Sequence, residues 1–484
     1  MNLKKQQIVL LLLAALVLGG AGAYIGVTLA QSDDGTKQKD IIVEGTGDVK
    51  ETELPENMSK VVQAYGLIQK NSLKDVNEKD LIEGAIQGML DTLDDPYSTY
   101  MDIETMERFN EQIESSFEGI GAEVSMVNDK VTIVAPIKDS PAEEAGLRPN
   151  DQINTIDGEG LEGLDLNEAV EKIRGERGSE VVLEIDRPGV SDTFKTTIVR
   201  DKIPLETVYP DTKTINGKKT GILEITSFSE TTAQDFNDEL AKLEEEGIEG
   251  LVIDVRGNPG GLLDAVEDIM KQFVPKDIPF VQIEDQDGEK EPHYSDLKKK
   301  KEYPISVITD EGSASASEIL AVAMKEIGYD VIGATTFGKG TVQQAIPLGD
   351  GSTMKLTFYK WLSPKGNWIN EKGVEPTVEQ AQPEYYYTNP VQIDEPLTYD
   401  HTGDKIKNIQ VMLNGLGFKT DREDGYFDKA TEEAVKAFQQ ENDVKVTGEV
   451  DEKTAGLIEA KVVENIRNGK DDQQLEKALD ILYE

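Results

Sequence analysis

Two short segments of the sequence place a serine and a lysine where they could form a hydrolytic pair. Residues 312–318 are Gly-Ser-Ala-Ser-Ala-Ser-Glu, and residues 337–343 are Phe-Gly-Lys-Gly-Thr-Val-Gln. Apolar residues with helical spacing follow the serines, so we expect one serine at the start of a helix, where unpaired N–H groups can stabilise an oxyanion. A lysine can act as a general base when burial disfavours its ammonium form. The two segments therefore indicate a serine hydrolase that uses no histidine.

The lysine segment also offers a partner for this base. Side chains alternate along a strand, so Lys339, Thr341 and Gln343 should share one face, and the lysine should be able to contact the glutamine amide. A neutral amide can orient the lysine without the stabilisation that a carboxylate would give to its ammonium form.

Each of these features also has an ordinary interpretation. A serine before a helix is most often only a cap, and a lysine between two glycines is most often a solvated loop residue. Elimination favours the catalytic interpretation, because the chain has no Cys and only two histidines, His293 in a charged predicted loop and His401 near a predicted linker. A Cys nucleophile is excluded, a His-based triad is poorly placed, and no metal or organic cofactor is implied.

A third segment could stabilise the developing charge of a reacting carbonyl. Residues 251–255 are a short apolar run typical of a buried parallel strand, and Arg-Gly-Asn-Pro-Gly-Gly at 256–261 predicts a tight turn into a helix. Glycines let the backbone approach a substrate closely. By itself, this pattern more often marks a sharp turn without a catalytic role.

Together these segments resemble the active-site signature of the carboxyl-terminal processing peptidases, also called tail-specific proteases. In that family the nucleophile is the middle serine of the Ser-Ala-Ser-Ala-Ser run, and the base is the lysine of Phe-Gly-Lys-Gly-Thr-Val-Gln. The resemblance implies a serine endopeptidase with an α/β core of crotonase/ClpP type, which acts on protein substrates near their C-terminal tails. It implies a site made of Ser315 as nucleophile, Lys339 as base, Gln343 as its partner, and the amides of Gly260 or Gly261 and of Ala316 as the oxyanion hole.

Residues 111–195 resemble a PDZ domain. A turn of Gly119, Ile120 and Gly121 precedes alternating apolar residues and a predicted helix, Asn167–Arg174. The turn would offer N–H groups to the terminal carboxylate of a peptide, which would add to the neighbouring strand. We expect Arg174 to report a bound tail by pairing with a carboxylate or carbonyl across the domain boundary. The alternatives are a generic small α/β module and a solvated arginine at a helix end.

Composition and the N-terminus restrict where the protein works. The chain has 484 residues, which is enough for several domains, and its net charge of −44 argues against binding to nucleic acid. Lysines precede an apolar segment long enough to cross a bilayer. We therefore interpret residues 1–31 as a single-pass signal anchor, with the catalytic part extracytoplasmic, and a cleaved signal peptide of a secreted protein remains the alternative.

The remaining regions complete a multidomain α/β organisation. Residues 404–465 contain two glycine turns, each followed by an Asp-capped helix, and resemble a three-helix peptidoglycan-binding domain, with a generic helical bundle as the alternative. The rival function is a catalytically silent scaffold of the cell envelope. The other predicted regions are a linker at 32–55, an N-terminal helical region at 56–110 that the resemblance links to homodimers, an α/β protease core at 196–380, a linker at 381–403 and a charged tail with weak helical character at 466–484.

Overall fold

The computed structural model describes residues 58–127, 130–190 and 192–484, and the described chain divides into two units after Gly84. The predicted signal anchor and the linker at 32–55 lie outside the described residues. The first helices are α1 (Met58–Asn71) and α2 (Glu78–Asp91), and α1 contains no buried residue. Within the part of the chain that the structure describes, every helix is too short or too polar to span a lipid bilayer.

The region predicted as a PDZ domain is an antiparallel sheet with two short helices. Its strands are ordered β3-β4-β5-β7-β8, with β6 paired to β5, while β2 pairs separately with β9. Alternate residues of β7, such as Val181, Leu183 and Ile185, enter one apolar core, as the alternation of side chains requires. The elements up to residue 204 are β1 (Thr99–Met101), α3 (Ile103–Glu114), β2 (Ser116–Gly119), β3 (Ala122–Val127), β4 (Lys130–Pro136), α4 (Pro141–Glu144), β5 (Gln152–Ile156), β6 (Glu159–Gly160), α5 (Leu166–Ile173), β7 (Glu180–Asp186), β8 (Phe194–Val199) and β9 (Asp201–Pro204).

The protease core is built on a six-stranded sheet of order β10-β11-β12-β15-β16-β19, in which every pair except β10–β11 is parallel. Helices α6, α7 and α8 contribute to the apolar core on one face of this sheet. The elements are β10 (Val208–Ile215), β11 (Lys218–Ile225), α6 (Thr232–Glu245), β12 (Gly250–Asp254), α7 (Leu263–Met270), β13 (Val281–Glu284), β14 (Lys290–His293), β15 (Ile305–Thr309), α8 (Ala316–Glu326), β16 (Asp330–Gly333), β17 (Thr341–Pro347), β18 (Thr353–Leu362) and β19 (Val378–Glu379).

A second sheet lies beside this core and contains β17, which follows the predicted lysine. Its order is β1-β18-β13-β14, and β17 pairs antiparallel with β18. In this register Gln343 lies opposite Thr357, and Ala345 lies opposite Lys355. These four positions therefore share one face of the sheet.

The last part of the described chain is helical. A short 3₁₀ helix (Glu384–Tyr387) is followed by α9 (Asp404–Gly415), α10 (Lys429–Glu441), α11 (Glu452–Arg467) and α12 (Gln473–Ile481). Asp428 and Asp451 cap α10 and α11 by accepting hydrogen bonds from backbone N–H groups, as the repeated turn pattern predicts.

The structure adds detail to three of the predicted regions. Helix α3 continues through the predicted boundary at residue 110, and the buried Tyr385, in the predicted linker, packs into the core of the C-terminal helices. The predicted charged tail forms α12, and its apolar residues cover the second face of the six-stranded sheet. Next to this helix, Asp472 accepts two hydrogen bonds of 2.9 Å from Arg256. Helix α12 therefore packs as part of the protease core.

Candidate active site

Ser315 lies at the turn that connects β15 to helix α8, and it is the N-cap of that helix. Its backbone has φ +55° and ψ −111°, a conformation that residues with a side chain rarely adopt and that costs roughly 1–3 kcal/mol. Such strain persists only where surrounding contacts impose it. The predicted helix after the serines is confirmed, but no local pattern of residues indicates this turn geometry.

The two flanking serines are fully buried and hold the turn in place. Ser313 donates its hydroxyl to the Val255 carbonyl at 2.8 Å, and Ser317 donates to the Asn258 carbonyl at 2.9 Å. Ser315 is the only one of the three that is partly exposed. Because the other two hydroxyls are committed to backbone carbonyls, Ser315 is the serine available for chemistry.

The glycine turn after β12 packs directly against Ser315. A Cβ atom on Gly260 would lie 2.8 Å from the Ser315 Cβ, and a Cβ on Gly261 would lie 1.9 Å from the Phe228 carbonyl oxygen, so neither position can carry a side chain. The Gly260 N–H donates to the Asn258 side chain at 2.8 Å. Among the described residues, the N–H groups of Gly261 and Ala316 make no hydrogen bond. Of the predicted oxyanion donors, these two are therefore free to bind an oxygen, and Gly260 is not.

A buried carboxylate connects the serine turn to the lysine segment. Glu318 is fully buried, and its oxygens accept hydrogen bonds from the N–H groups of Ser315 (2.8 Å), Gly338 (2.7 Å) and Lys339 (2.8 Å) and from the Thr336 hydroxyl (2.6 Å). From the sequence alone, the spacing of Glu318 from Ser315 indicates only a capping box. Four donors on one carboxylate hold the nucleophile and the base in a fixed relation.

Lys339 belongs to the loop before β17, not to the strand as predicted. Its backbone is fixed on both sides, because its N–H donates to Glu318 and its carbonyl accepts the Trp361 indole N–H at 2.8 Å. Its ammonium nitrogen lies 5.1 Å from the centre of the Tyr97 ring. Burial and, secondarily, the positive charge of Lys355 lower the pKa of Lys339, which favours the neutral amine that a base requires.

Gln343, the predicted partner of Lys339, makes its hydrogen bonds elsewhere. The Gln343 amide instead donates to the hydroxyls of Thr341 (2.9 Å) and Thr357 (3.0 Å). Within the described residues, no hydrogen bond joins Lys339 to Gln343 or to Ser315. The physical reason is that the lysine precedes the strand, so the alternation of side chains does not govern its direction.

Ser315, Lys339 and Gln343 nevertheless line one cavity of about 540 Å³, together with Gly260, Gly261 and Ala316. Helix α3 adds Phe109, Gln112 and Ile113 to its wall, which no sequence feature indicated. The two histidines are not among its lining residues. His293 lies on β14, not in a loop, and bonds to Glu267 at 2.5 Å.

The lowered pKa of the lysine leads to a prediction about pH. Cleavage should increase with pH through the deprotonation of Lys339, at a lower pH than an ordinary lysine would give. Gln343→Glu should move this increase to higher pH, because a carboxylate stabilises the ammonium form. The measurement is kcat/KM against pH for both proteins, with Gln344→Glu, at an exposed neighbouring position, as the control. An unchanged or lower midpoint for Gln343→Glu would refute electrostatic control of the lysine.

Arg174 lies in a small groove of the PDZ region and is connected to the wall of the catalytic cavity through helix α3. It lines a small cavity of about 80 Å³ with Ile120 and Gly121, and its guanidinium lies 4.7 Å from the centre of the Phe117 ring. It donates to Glu111 on α3 at 2.9 Å. The N–H groups of Ile120 and Gly121 make no backbone hydrogen bond within the described residues.

Comparison with known proteins gives four family matches along the chain. The four are peptidase family S41 (residues 219–380), the PDZ domain (132–187), the family named putative peptidoglycan binding domain (402–458) and the N-terminal domain of the activating protease CtpB (16–105).

Two relatives from Bacillus subtilis (strain 168) are similar over almost the whole chain. The carboxy-terminal processing protease CtpB is 50% identical over 470 residues, which cover 97% of each chain. The carboxy-terminal processing protease CtpA is 40% identical, over 90% of this chain and 91% of that protein. A solved structure, the photosystem II D1 C-terminal processing protease, is 26% identical with a TM-score of 0.42, and covers 68% of this chain and 94% of that one.

The fold and these matches define a serine protease with an α/β core, a PDZ domain and a helical C-terminal domain, which confirms the predicted fold class and enzyme class. The chain belongs to peptidase family S41, among its carboxy-terminal processing proteases. The alternative of a catalytically silent scaffold is therefore set aside.

Proposed function

We propose that the protein is an endopeptidase in which Ser315 is the nucleophile and Lys339 the general base. The neutral amine of Lys339 accepts the hydroxyl proton while the serine oxygen bonds to the scissile carbonyl carbon. The ammonium group then donates that proton to the leaving amine as the C–N bond breaks, which leaves an acyl-enzyme. Water adds to the acyl carbon and gives a proton to Lys339, which returns it to the departing serine oxygen.

The observation that carries this proposal is the convergence of four groups on one cavity. They are the strained Ser315, the half-buried Lys339, and the free N–H groups of Gly261 and Ala316. The two N–H groups would stabilise the negative charge of the tetrahedral intermediate. Since Lys339 points to Tyr97 and makes no bond to Ser315, its side chain must turn toward the serine before the first proton transfer.

We further propose that the PDZ domain controls this rearrangement. Arg174 lies in the PDZ groove and is bonded to Glu111, while the same helix α3 contributes Phe109 to the catalytic cavity. A C-terminal tail bound at the turn from Gly119 to Gly121 would alter the Arg174 contacts and therefore the position of α3. Such a tail activates the enzyme only if it binds the active arrangement more tightly than the inactive one.

The cellular setting is proposed from other parts of the chain. Residues 1–31 would anchor the protein in the membrane with its catalytic part outside the cytoplasm, and the domain at 404–465 would bind peptidoglycan. A homodimer through α1 is supported by large apolar side chains that are 44–60% exposed: Val61, Val62, Leu67 and Ile68.

Recognition of the substrate tail predicts a difference between two otherwise identical substrates. A substrate with a free apolar C-terminus should be cleaved roughly 5- to 100-fold faster than its C-terminally amidated form, because only the free carboxylate can bind the PDZ turn. Arg174→Gln should reduce this ratio, whereas Arg177→Gln, an exposed arginine paired with Asp201, should keep it. Equal rates for the two substrates with the wild type would refute recognition of the tail.

A further inference from the structure

The catalytic cavity has an unusual charge for this chain. The protein has 94 acidic and 50 basic residues, yet the described residues that line the cavity include no Asp or Glu and two lysines, Lys339 and Lys355. A second cavity, of about 770 Å³ beside Arg256, is lined by six carboxylates. The catalytic cavity is therefore positively charged although the chain as a whole is strongly acidic.

The position of the Lys355 side chain in this cavity is not explained by a bond to another described residue. It lies on β18, on the same face as Gln343 and Thr357, and is only partly exposed. Its ammonium nitrogen lies 5.3 Å from the centre of the Phe109 ring, and within the described residues it forms no ion pair or hydrogen bond. Asp95 acts on it only through space, because the Asp95 carboxylate accepts from Ser98 and from the Tyr97 N–H.

A partly buried cation without a counter-ion is costly, and this cost is offset when an anion enters its site. The remaining cavity wall is largely apolar, with Phe228, Leu262, Ile319 and Trp361 among its residues. Apolar substrate side chains can pack against this wall. Because the wall offers no counter-ion to the ammonium group of Lys355, that counter-ion must come from the substrate. The anion that a peptide substrate offers is a carboxylate.

We propose that Lys355 is a substrate-binding residue whose ammonium group binds a carboxylate of the peptide that is cleaved. This inference rests on the proposed function of the cavity. A cavity of this size is roughly 10 Å across, a distance that an extended peptide covers in about three residues. The carboxylate therefore belongs to an Asp or Glu side chain, or to the chain terminus, within about three residues of the scissile bond.

The test is a series of short peptides with one cleavable apolar sequence. Each peptide carries either Glu or Gln at one of the three positions on either side of the scissile bond. Each peptide is also made in two forms, with a free and with an amidated C-terminus. For the wild type, kcat/KM should be roughly 10- to 100-fold higher for Glu than for Gln at one position, or for the free than for the amidated end if the terminus is the ligand. Lys355→Met should reduce the Glu-to-Gln ratio to about one, and Lys355→Arg should keep it. If the terminus is the ligand, the same comparison is made in the Arg174→Gln background, where the PDZ groove no longer contributes to the free-to-amidated ratio.

Two further comparisons make the result decisive. Lys360→Met, on the same strand but paired with Glu284, should leave the ratio unchanged. Binding of the Glu and Gln peptides to Ser315→Ala, with and without Lys355→Met, gives the same ratio without requiring catalysis. A wild type that cleaves Glu and Gln peptides equally at every position, and free and amidated ends equally, would overturn the inference. A wild type that cleaves none of the peptides, or a Ser315→Ala that cleaves them as well as the wild type, would instead refute the proposed function.

Discussion

Ser315→Ala and Lys339→Ala should each reduce kcat/KM by roughly 10⁴-fold or more, because each removes one half of a nucleophile and base that act as a unit. For the same reason the double variant should be only slightly less active than either single variant. The measurement is steady-state cleavage of an unstructured protein substrate by all four proteins. Additive losses in the double variant, or substantial turnover by Ser315→Ala, would contradict the assignment.

The flanking serines provide matched controls for this prediction. Ser313→Ala and Ser317→Ala remove hydroxyls that bond to the carbonyls of Val255 and Asn258, so they should weaken the packing of the turn and still leave substantial activity. A loss at either control as large as that at Ser315 would show that the cleavage assay reports the integrity of the turn and not the identity of the nucleophile.

Glu318→Gln should produce the second large effect, a decrease in kcat of roughly 10²- to 10³-fold with little change in KM. The carboxylate accepts three backbone N–H groups and one hydroxyl, and an amide would turn its own N–H₂ toward some of these donors. The donors of Ser315 and Lys339 would lose their common acceptor, so nucleophile and base would be misplaced while the substrate-binding wall remained. We also expect a lower thermal stability, because buried donors would be unpaired.

Glu326→Gln is the matched control for Glu318, since it lies on the same helix and its carboxylate accepts from Ser363 and from the Lys365 N–H, away from the cavity. This control should change thermal stability more than kcat. If Glu318→Gln raised KM and left kcat unchanged, or if both variants lowered kcat equally, the positioning role of Glu318 would be wrong.

The sequence predicted those features that depend on local patterns. Hydrophobic periodicity predicted the parallel strands and helices of the core, and the apolar run after the serines predicted the helix that begins at Ala316. Short-range spacing could not predict the conformation of Ser315, because its positive φ is imposed by contacts with the glycine turn more than 50 residues earlier in the chain. The four donors that bond to Glu318 come from two separate segments of the chain, so short-range spacing could not predict that they meet there.

The sequence also could not predict features that depend on tertiary packing, because they are set by contacts between distant segments. The direction of the Lys339 side chain is set by its loop and by the Tyr97 ring, not by the strand that follows. The apolar residues Leu475, Ala478, Leu479 and Leu482 have helical spacing, but the surface that they cover is defined only by the second face of the sheet. Lys355 is an ordinary strand lysine in the sequence, and its importance follows only from the cavity that it lines.

The most direct test of the Ser315 and Lys339 pair uses the absence of Cys from the natural chain. In Lys339→Cys, a single thiol can be converted by 2-bromoethylamine into an aminoethyl side chain, which restores an amine of nearly lysine length that is more acidic than lysine. Lys339→Cys should be inactive, and alkylation should restore cleavage with its alkaline increase moved to lower pH. Alkylated Ser315→Ala/Lys339→Cys should stay inactive. No recovery after complete alkylation, or equal recovery without Ser315, would contradict the assignment of this pair.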